Sequence, residues 1–293
     1  MGDIQLVKLK NTRSRYLKGA LLGKLGFCTS WAVDVHGGEN QWLEVVEIDL
    51  KLDNIGNGFR GKRIIQISDL HCSRTVSTRY LSHCIDRINQ LDSDIVVLTG
   101  DYITHDYHGH FSKKVANLVS GIESRMGVYA CLGNHDYGMG GLFNSHRPGA
   151  LEKMVAHMQA GGVTVLRNDS ALLEAAGEKL WLVGLGDLWA GDMKPHRAFE
   201  KVTGDGAVIT LTHNPASLRS LSKFASDAVM CGHTHGIEIE WAASPNKPIA
   251  RKRTLVSGLY HFGGKKVYVN RGLGRLGRTL GNQRPEITVF NLC

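Results

Sequence analysis

Two histidines lie in a glycine-containing loop that follows a short apolar run. The run is Ala228–Met230, and the loop after it reads Cys231-Gly232-His233-Thr234-His235-Gly236. An apolar run that ends in glycine is typical of a buried strand opening into a loop, and glycine lets the backbone bend closely around a bound group. Imidazoles in such a loop can bind metal ions, but histidines also serve as hydrogen-bonding residues of loops and cores. This motif alone leaves both interpretations open.

Four other apolar runs in the chain end in the same kinds of polar side chain. The residues that follow these runs are Asp69 and His71, then Asp101, then Asn134, His135 and Asp136, and finally His213. In open α/β sheets, ligands bind beyond the carboxyl ends of the strands, so folding is expected to bring these side chains to one edge. Asp, Asn and His without a thiolate suit Mn²⁺, Fe or Zn²⁺. Seven such residues with one shared aspartate fit two cations better than one.

The elements that position these residues are predicted from hydrophobic periodicity. Strands alternate with helices through the first half, with strands at 43–50, 63–67, 94–99, 127–132 and 163–167 and helices from 77, around 112–124 and around 149–160. This alternation predicts an α/β protein with largely parallel strands. Later strands are denser, at 180–185, 207–211, 228–231, 237–241, 266–270 and 287–291. So many strands favour two packed sheets with helices outside.

Length, charge and cysteine content limit the kinds of protein that this chain can be. The 293 residues, 42% of them hydrophobic, are enough for one large domain. The net charge of +8 suits anionic substrates, phosphate-bearing lipids or nucleic acid, although a generally basic surface explains it equally well. Six scattered cysteines without a Cys-x-x-Cys pair indicate a reducing, cytoplasmic compartment. No stretch approaches the roughly 18 uninterrupted apolar residues of a spanning helix.

The chain divides into an N-terminal extension, residues 1–40, and a single domain, residues 41–293. Four leucines of the extension share one helical face that lysines flank: Leu17, Leu21, Leu22 and Leu25, with Lys18 and Lys24. This pattern is typical of a basic helix that rests on an anionic membrane, here the inner membrane face. The alternatives are a helix packed on its own domain and a frayed tail.

The five polar clusters together resemble the signature of the calcineurin-like metallophosphoesterases. In chain order they read Asp69-x-His71, Gly100-Asp101, Gly133-Asn134-His135-Asp136, His213 and Gly232-His233-x-His235. The resemblance covers residues 63–236. It implies a four-layer αββα sandwich, in which two mixed β-sheets are flanked by helices on both outer sides.

The resemblance also implies a dinuclear metal site. It assigns Asp69, His71 and His235 to one ion, Asn134, His213 and His233 to the second, and Asp101 to a position between both. Two such ions can share a hydroxide near neutral pH and hold phosphoryl oxygens during in-line attack. The implied enzyme is a hydrolase of a phosphodiester, phosphomonoester or diphosphate that uses two divalent ions, with Mn preferred in vitro over Fe or Zn.

Two further residues of the motif are assigned roles around the metals. His135 matches the family histidine near the phosphate and leaving group, where it acts as a general acid or hydrogen-bond donor. Asp136 is expected to orient that imidazole or, alternatively, to cap a turn.

In the late loop, Arg271 and Arg275 are expected to bind an anionic substrate, the alternative being a solvated basic loop. Trp189 is interpreted as a wall of the substrate site or as ordinary packing.

Departures from the family pattern narrow the range of possible substrates. Thr104 stands where many members carry an acidic residue, and the Arg-Gly pair of the protein serine/threonine phosphatases is absent. This favours a small-molecule, nucleotide or lipid phosphoester. The segments 66–71 and 267–274 resemble the bacterial phosphodiesterase-like branch. That branch includes membrane-associated enzymes, among them a UDP-2,3-diacylglucosamine diphosphatase of lipid A synthesis.

Two alternatives to that hydrolase remain open at this stage. A non-catalytic scaffold on the same fold would bind partners through its basic surface, but it has no need for His135 beside a complete ligand set. A nuclease-type phosphodiesterase is disfavoured because no basic groove interleaved with aromatic residues is visible. The sequence favours no oligomeric state.

Overall fold

The computed structural model describes residues 4–6, 43–106, 108–139, 149–236, 255–274 and 284–293. The strands are β1 (Ile4–Leu6), β2 (Glu44–Leu50), β3 (Arg63–Ile67), β4 (Ile95–Thr99), β5 (Val128–Cys131), β6 (Val163–Val165), β7 (Asp169–Ala175), β8 (Glu178–Gly184), β9 (Ala207–Leu211), β10 (Ala228–Cys231), β11 (Gly258–Phe262), β12 (Lys265–Val269) and β13 (Glu286–Leu292). The helices are α1 (Thr78–Asn89), α2 (His110–Val119), α3 (Ala150–Ala160) and α4 (Pro195–Ala198), followed by a 3₁₀ helix, Pro215–Arg219.

The first sheet carries the amino-terminal half of the candidate site. Its strand order is β2-β13-β3-β4-β5-β6. The run from β3 to β6 is parallel, whereas β13 is antiparallel to β3. All five residues of β4, Ile-Val-Val-Leu-Thr, are buried. A strand that is apolar on both faces is typical of a parallel sheet covered on both sides.

The second sheet carries the carboxyl-terminal half of the site. Its order is β1-β11-β12-β10-β9-β8-β7, and the run β12-β10-β9-β8 is parallel. At one edge, β7 and β8 form a hairpin through Ala176 and Gly177, which have φ angles of 52° and 79°. Two consecutive positive φ angles are typical of the tight turns whose twist matches that of a hairpin. Sequence periodicity did not predict β7, because the strand has only one buried residue, Leu173.

Three apolar layers hold the sheets and helices together. Between the sheets, Ile64 and Phe290 of the first sheet pack with Leu182 and Ile209 of the second. Helices α1 to α3 cover the outer face of the first sheet, and α4 with the 3₁₀ helix covers the outer face of the second. This arrangement confirms the expected sandwich of two mixed sheets flanked by helices.

Local signals explain most element boundaries. Helix α1 begins after Ser77, whose side chain accepts a hydrogen bond from the Tyr80 N–H, as predicted for an N-cap. Helix α2 ends at Val119, five residues before its predicted end. The strand predicted at 237–241 lies outside the described residues, as does most of the extension, although residues 4–6 pair with β11. None of the described helices is long and apolar enough to cross a membrane.

Candidate metal centre

The structure brings all seven predicted metal ligands together at one edge of the sandwich. Asp69 and His71 follow β3, Asp101 follows β4, Asn134 follows β5, His213 follows β9, and His233 and His235 follow β10. Each of these strands is parallel to a neighbour in its sheet, so the carboxyl ends of the strands meet. The site is therefore built by both sheets.

One group of donor atoms consists of Asp69, His71 and His235. The Nε2 atoms of the two histidines are 3.1 Å apart. Asp69 Oδ1 lies 3.3 Å from Nε2 of His235 and 3.9 Å from Nε2 of His71. Asp69 and His71 are fully buried, whereas the His235 side chain is 18% exposed. The open side of this group therefore lies at His235.

A second group consists of Asp101, His213 and His233. Asp101 Oδ2 lies 3.0 Å from Nε2 of His213, and that nitrogen lies 3.2 Å from Nδ1 of His233. The same Asp101 oxygen is 3.7 Å from Nε2 of His71 in the first group. Asp101 thus lies between the two groups of donor atoms.

Asn134 presents a buried oxygen to the same edge. Its Nδ2 donates to the Met139 carbonyl at 3.3 Å, while its Oδ1 accepts no hydrogen bond from the described residues. A buried polar atom without a partner is costly. Its oxygen is therefore suited to a ligand outside the protein.

Most of the described non-glycine residues with positive φ angles are candidate ligands. Positive φ angles occur at Asp69 (50°), His71 (47°), Asp101 (57°), His233 (76°) and His235 (51°). These are five of the eight non-glycine residues in that region among the described residues. Each such conformation costs on the order of 1–3 kcal/mol and persists where the surrounding contacts enforce it.

Hydrogen bonds behind the ligands fix their orientation. His213 Nδ1 is 2.7 Å from the Thr99 carbonyl, to which it donates a hydrogen bond. Nε2, which faces Asp101, is therefore the ring nitrogen available to a metal ion. The His233 N–H donates to the Asp69 carboxylate, with contacts of 3.1 and 3.2 Å. The His135 N–H donates to Asp101 Oδ1 at 2.9 Å. Both aspartates are therefore held by the loops that carry the histidines.

Thr104 has a positioning role that the sequence did not reveal. Its hydroxyl lies 3.3 Å from Nδ1 of His71, and its carbonyl lies 3.0 Å from Nδ1 of His135. In the sequence Thr104 stood out only as a departure from the acidic residue of other family members. The carbonyl contact depends on the backbone and has no side-chain signal.

Asp136 binds the loop around Asp101. Its carboxylate accepts hydrogen bonds from the N–H groups of Asp101, Tyr102 and Gly133 at 2.8 to 2.9 Å. Burial and the neighbouring Asp101 charge raise the pKa of Asp136 to about 8, while the backbone donors act in the opposite direction. These contacts fit the capping alternative. Orientation of the His135 imidazole by Asp136 stays a prediction, and Nδ1 of that imidazole lies against Thr104.

His135 lies next to the first group of donors. It is 9% exposed, and its ring is perpendicular to that of His71, with a centroid separation of 4.8 Å. Because Nδ1 faces the Thr104 carbonyl, any contact of this ring with a substrate would use Nε2.

The chemistry of this donor set fits divalent cations. Burial lowers the pKa of His71 well below its ordinary value and that of His233 to about 3, so both imidazoles are neutral, as metal ligands must be. Burial also acts to lower the pKa of His213, but the Asp101 and Asp69 carboxylates raise it to about 10. Burial acts to raise the pKa of Asp101, and His213 lowers it strongly. A bound cation would replace the His213 proton as the partner of Asp101.

Arg271, the predicted substrate-binding residue of the late loop, is engaged elsewhere. Its Nη2 lies 2.7 Å from Glu44 Oε2, and its Nε donates to Oε2 of Glu286, which is 2% exposed. Glu286 also accepts hydrogen bonds from Tyr268 and Thr288. Substrate binding by Arg271 stays a prediction, and Arg275 lies outside the described residues.

The fold and the site together define the class. Paired clusters of nitrogen and oxygen donors at the strand ends of an αββα sandwich are the architecture expected of a metallophosphoesterase. The chain belongs to the calcineurin-like phosphoesterase family, whose sequence model matches residues 62–236. The expectation of a hydrolase that acts on phosphoric ester bonds is thereby confirmed.

Several relatives match most of this chain, among them the following three proteins. Phosphodiesterase YaeI of Escherichia coli K12 is 34% identical, covering 78% of this chain and 82% of YaeI. The uncharacterized metallophosphoesterase YkuE of Bacillus subtilis is 30% identical, covering 97% of this chain and 98% of YkuE. The UDP-2,3-diacylglucosamine pyrophosphatase LpxG of Chlamydia muridarum is 28% identical, covering 86% and 90%.

We expect Gly232→Ala to weaken metal binding. A Cβ at this position would lie 1.9 Å from Ser68 Oγ and 2.4 Å from Asp69 Oδ2, so the aspartate must move. We expect Mn²⁺ affinity, measured by calorimetry, to fall at least about tenfold, as when a group that orients metal ligands is lost. The control is Gly177→Ala in the β7–β8 turn, where a Cβ meets nothing within 4 Å but φ is 79°. The control should lose stability and keep its Mn²⁺ affinity; equal affinity in both variants would contradict this account of Gly232.

We expect Arg271→Met to destabilise the fold by about 3–5 kcal/mol, because it leaves the buried Glu286 carboxylate without its cation. Denaturant unfolding measures this loss, and the double variant Arg271→Met, Glu286→Gln should recover part of it. Arg219→Met, at an exposed position, is the control. Unchanged stability with a raised KM would instead favour the substrate-binding role.

Proposed function

We propose that this chain is a dinuclear metal-dependent phosphohydrolase that cleaves a phosphodiester or diphosphate bond. The observation that carries the proposal is the position of Asp101, with its carboxylate between two groups of buried donor atoms. In this proposal Asp69, His71 and His235 hold one cation and Asn134, His213 and His233 hold the other. Asp101 contacts both. The unsatisfied oxygen of Asn134 supports its part in the second site.

Two bound cations would supply a nucleophile, by lowering the pKa of a shared water, and would neutralise charge on the phosphoryl oxygens. The protein itself fixes the positions of the ligand atoms and excludes water from them. Asp69, His71 and His213 are at most 1% exposed. Preorganised groups in such a site cost little rearrangement when charge develops.

His135 is proposed as the general acid. Its Nδ1 is held by the Thr104 carbonyl, and its backbone N–H is held by Asp101. The first contact fixes the ring and the second fixes the backbone that carries it. In its imidazolium form, His135 can then give the Nε2 proton, or a hydrogen bond from it, to the leaving-group oxygen. Transfer by a positioned imidazole contributes roughly 10²–10⁴ to the rate.

The proposed substrate is a diphosphate or phosphodiester that joins a nucleotide to a lipid, such as UDP-2,3-diacylglucosamine. The names of two relatives support this class, since one is a phosphodiesterase and one is a pyrophosphatase of that lipid. The net charge of +8 suits an anionic substrate. We further propose Mn²⁺ as the metal in vitro and a cytoplasmic location against the inner membrane face. The basic extension proposed to contact the membrane lies almost wholly outside the described residues.

The scaffold alternative is disfavoured by the detail of the site. A binding module has no use for a buried imidazole beside a complete set of metal ligands. Turnover of bis-p-nitrophenyl phosphate with added Mn²⁺, Fe²⁺ or Zn²⁺ distinguishes the two functions, because a scaffold gives none. Hydrolysis of single-stranded DNA faster than of lipid-linked nucleotides would favour the nuclease alternative.

We expect His135→Ala to lower kcat by roughly 10²–10⁴, as expected when a general acid is removed, while bound metal stays unchanged. Steady-state kinetics with bis-p-nitrophenyl phosphate and metal analysis of the same sample measure the two quantities. His83→Ala, on the exposed side of α1, is the matched control and should retain full activity. Full kcat in His135→Ala at unchanged metal content would refute the proposed role.

A further inference from the structure

Trp189 is a large apolar side chain exposed beside the metal centre. It is 45% exposed, and the other exposed large hydrophobic residue among the described residues is Leu172, on β7, at 40%. Its ring lies 4.3 Å from that of His233, centroid to centroid, at an interplanar angle of 86°. A group attached to a phosphate at the candidate metal centre therefore has this indole within reach.

Hydrogen bonds within the loop and to Asn168 brace the loop that presents Trp189. Asp187 Oδ1 accepts the Ala190 N–H at 2.8 Å, which closes the turn around the tryptophan. Asn168, which is 3% exposed, accepts the Gly186 N–H at 2.9 Å and donates to the Asp192 carbonyl at 2.7 Å. A fixed loop loses little conformational entropy on binding. An exposed indole on such a loop is better suited to recognition than to filling space.

Cations lie on the same loop and beside it. Asp192 Oδ2 accepts hydrogen bonds from Arg167 Nε at 2.6 Å and Tyr137 Oη at 2.7 Å, and the Lys194 ammonium lies 3.7 Å from Oδ1. Glu152 Oε1 also lies 3.7 Å from Arg167 Nη1, so two carboxylates face the two cations. The Arg167 and Lys194 side chains are 37% and 58% exposed. The surface therefore combines an aromatic ring with two partly exposed cationic groups.

This combination favours a nucleotide over a lipid chain. An acyl chain would gain from the apolar area alone and nothing from the cations. A nucleotide has both a flat base, which stacks on aromatic side chains, and an anionic phosphate. We propose that Trp189 is the stacking platform for the base of a nucleotide-containing substrate, a binding site next to the metal centre. The inference rests on the proposed hydrolase function and adds the residue that selects the substrate.

The test compares a nucleotide with a sugar phosphate that lacks the base and with an alkyl phosphate. Calorimetry with the Mn²⁺-loaded full chain measures the Kd of uridine 5′-monophosphate, of ribose 5-phosphate and of hexyl phosphate. In Trp189→Ala we expect the Kd of the nucleotide to rise about 10- to 100-fold, as expected for a lost stacking contact, and that of ribose 5-phosphate to change less than about threefold. Trp189→Phe should retain most of the affinity, and Leu172→Ala should match the wild type.

Three results would overturn the platform. In the first, the wild type binds uridine 5′-monophosphate no better than ribose 5-phosphate. In the second, Trp189→Ala weakens the binding of both ligands equally, which indicates that the tryptophan only supports His233. In the third, hexyl phosphate would lose as much affinity as the nucleotide, which indicates a general apolar surface. Turnover of bis-p-nitrophenyl phosphate, measured on the same samples, tests the hydrolase separately, because the binding constants do not depend on catalysis.

Discussion

The structure depends on one electrostatic constraint, the burial of two aspartates and several imidazoles in mutual contact. Asp101 lies 3.0 Å from Nε2 of His213 and 3.7 Å from Nε2 of His71, and the His71 nitrogen lies 3.1 Å from Nε2 of His235. Buried charges are costly unless they are paired or coordinate metals. The arrangement is satisfied best by cations between the donors, and the strained φ angles of these residues show how firmly the fold enforces it.

Meeting this constraint requires two sheets in a fixed relation. Asp69 and Asp101 belong to the first sheet and His213 and His233 to the second. Below the site, Gln66 Nε2 donates to the Cys231 carbonyl at 2.9 Å and joins the two sheets directly. The apolar layer between the sheets then sets their separation. Packing of this apolar layer therefore stabilises the close approach of ligands that are far apart in sequence.

Much of this could be predicted from the sequence, because the informative signals are local. A buried parallel strand such as β4 is a continuous apolar run, and the residue that follows it must lie at the sheet edge, which placed Asp101 correctly beside the other candidate ligands. What could not be predicted depends on distant contacts. Glu44 and Arg271 are separated by 227 positions, and the Thr104 carbonyl has no side-chain signature. The exposed edge strand β7 lacks the buried pattern that sequence analysis requires.

The proposed two-cation site at Asp101 is tested most directly by anomalous diffraction from crystals grown with Mn²⁺. The account predicts two anomalous peaks on either side of the Asp101 carboxylate, one against Asp69, His71 and His235 and the other against Asn134, His213 and His233. A single peak, or peaks away from Asp101, would contradict it.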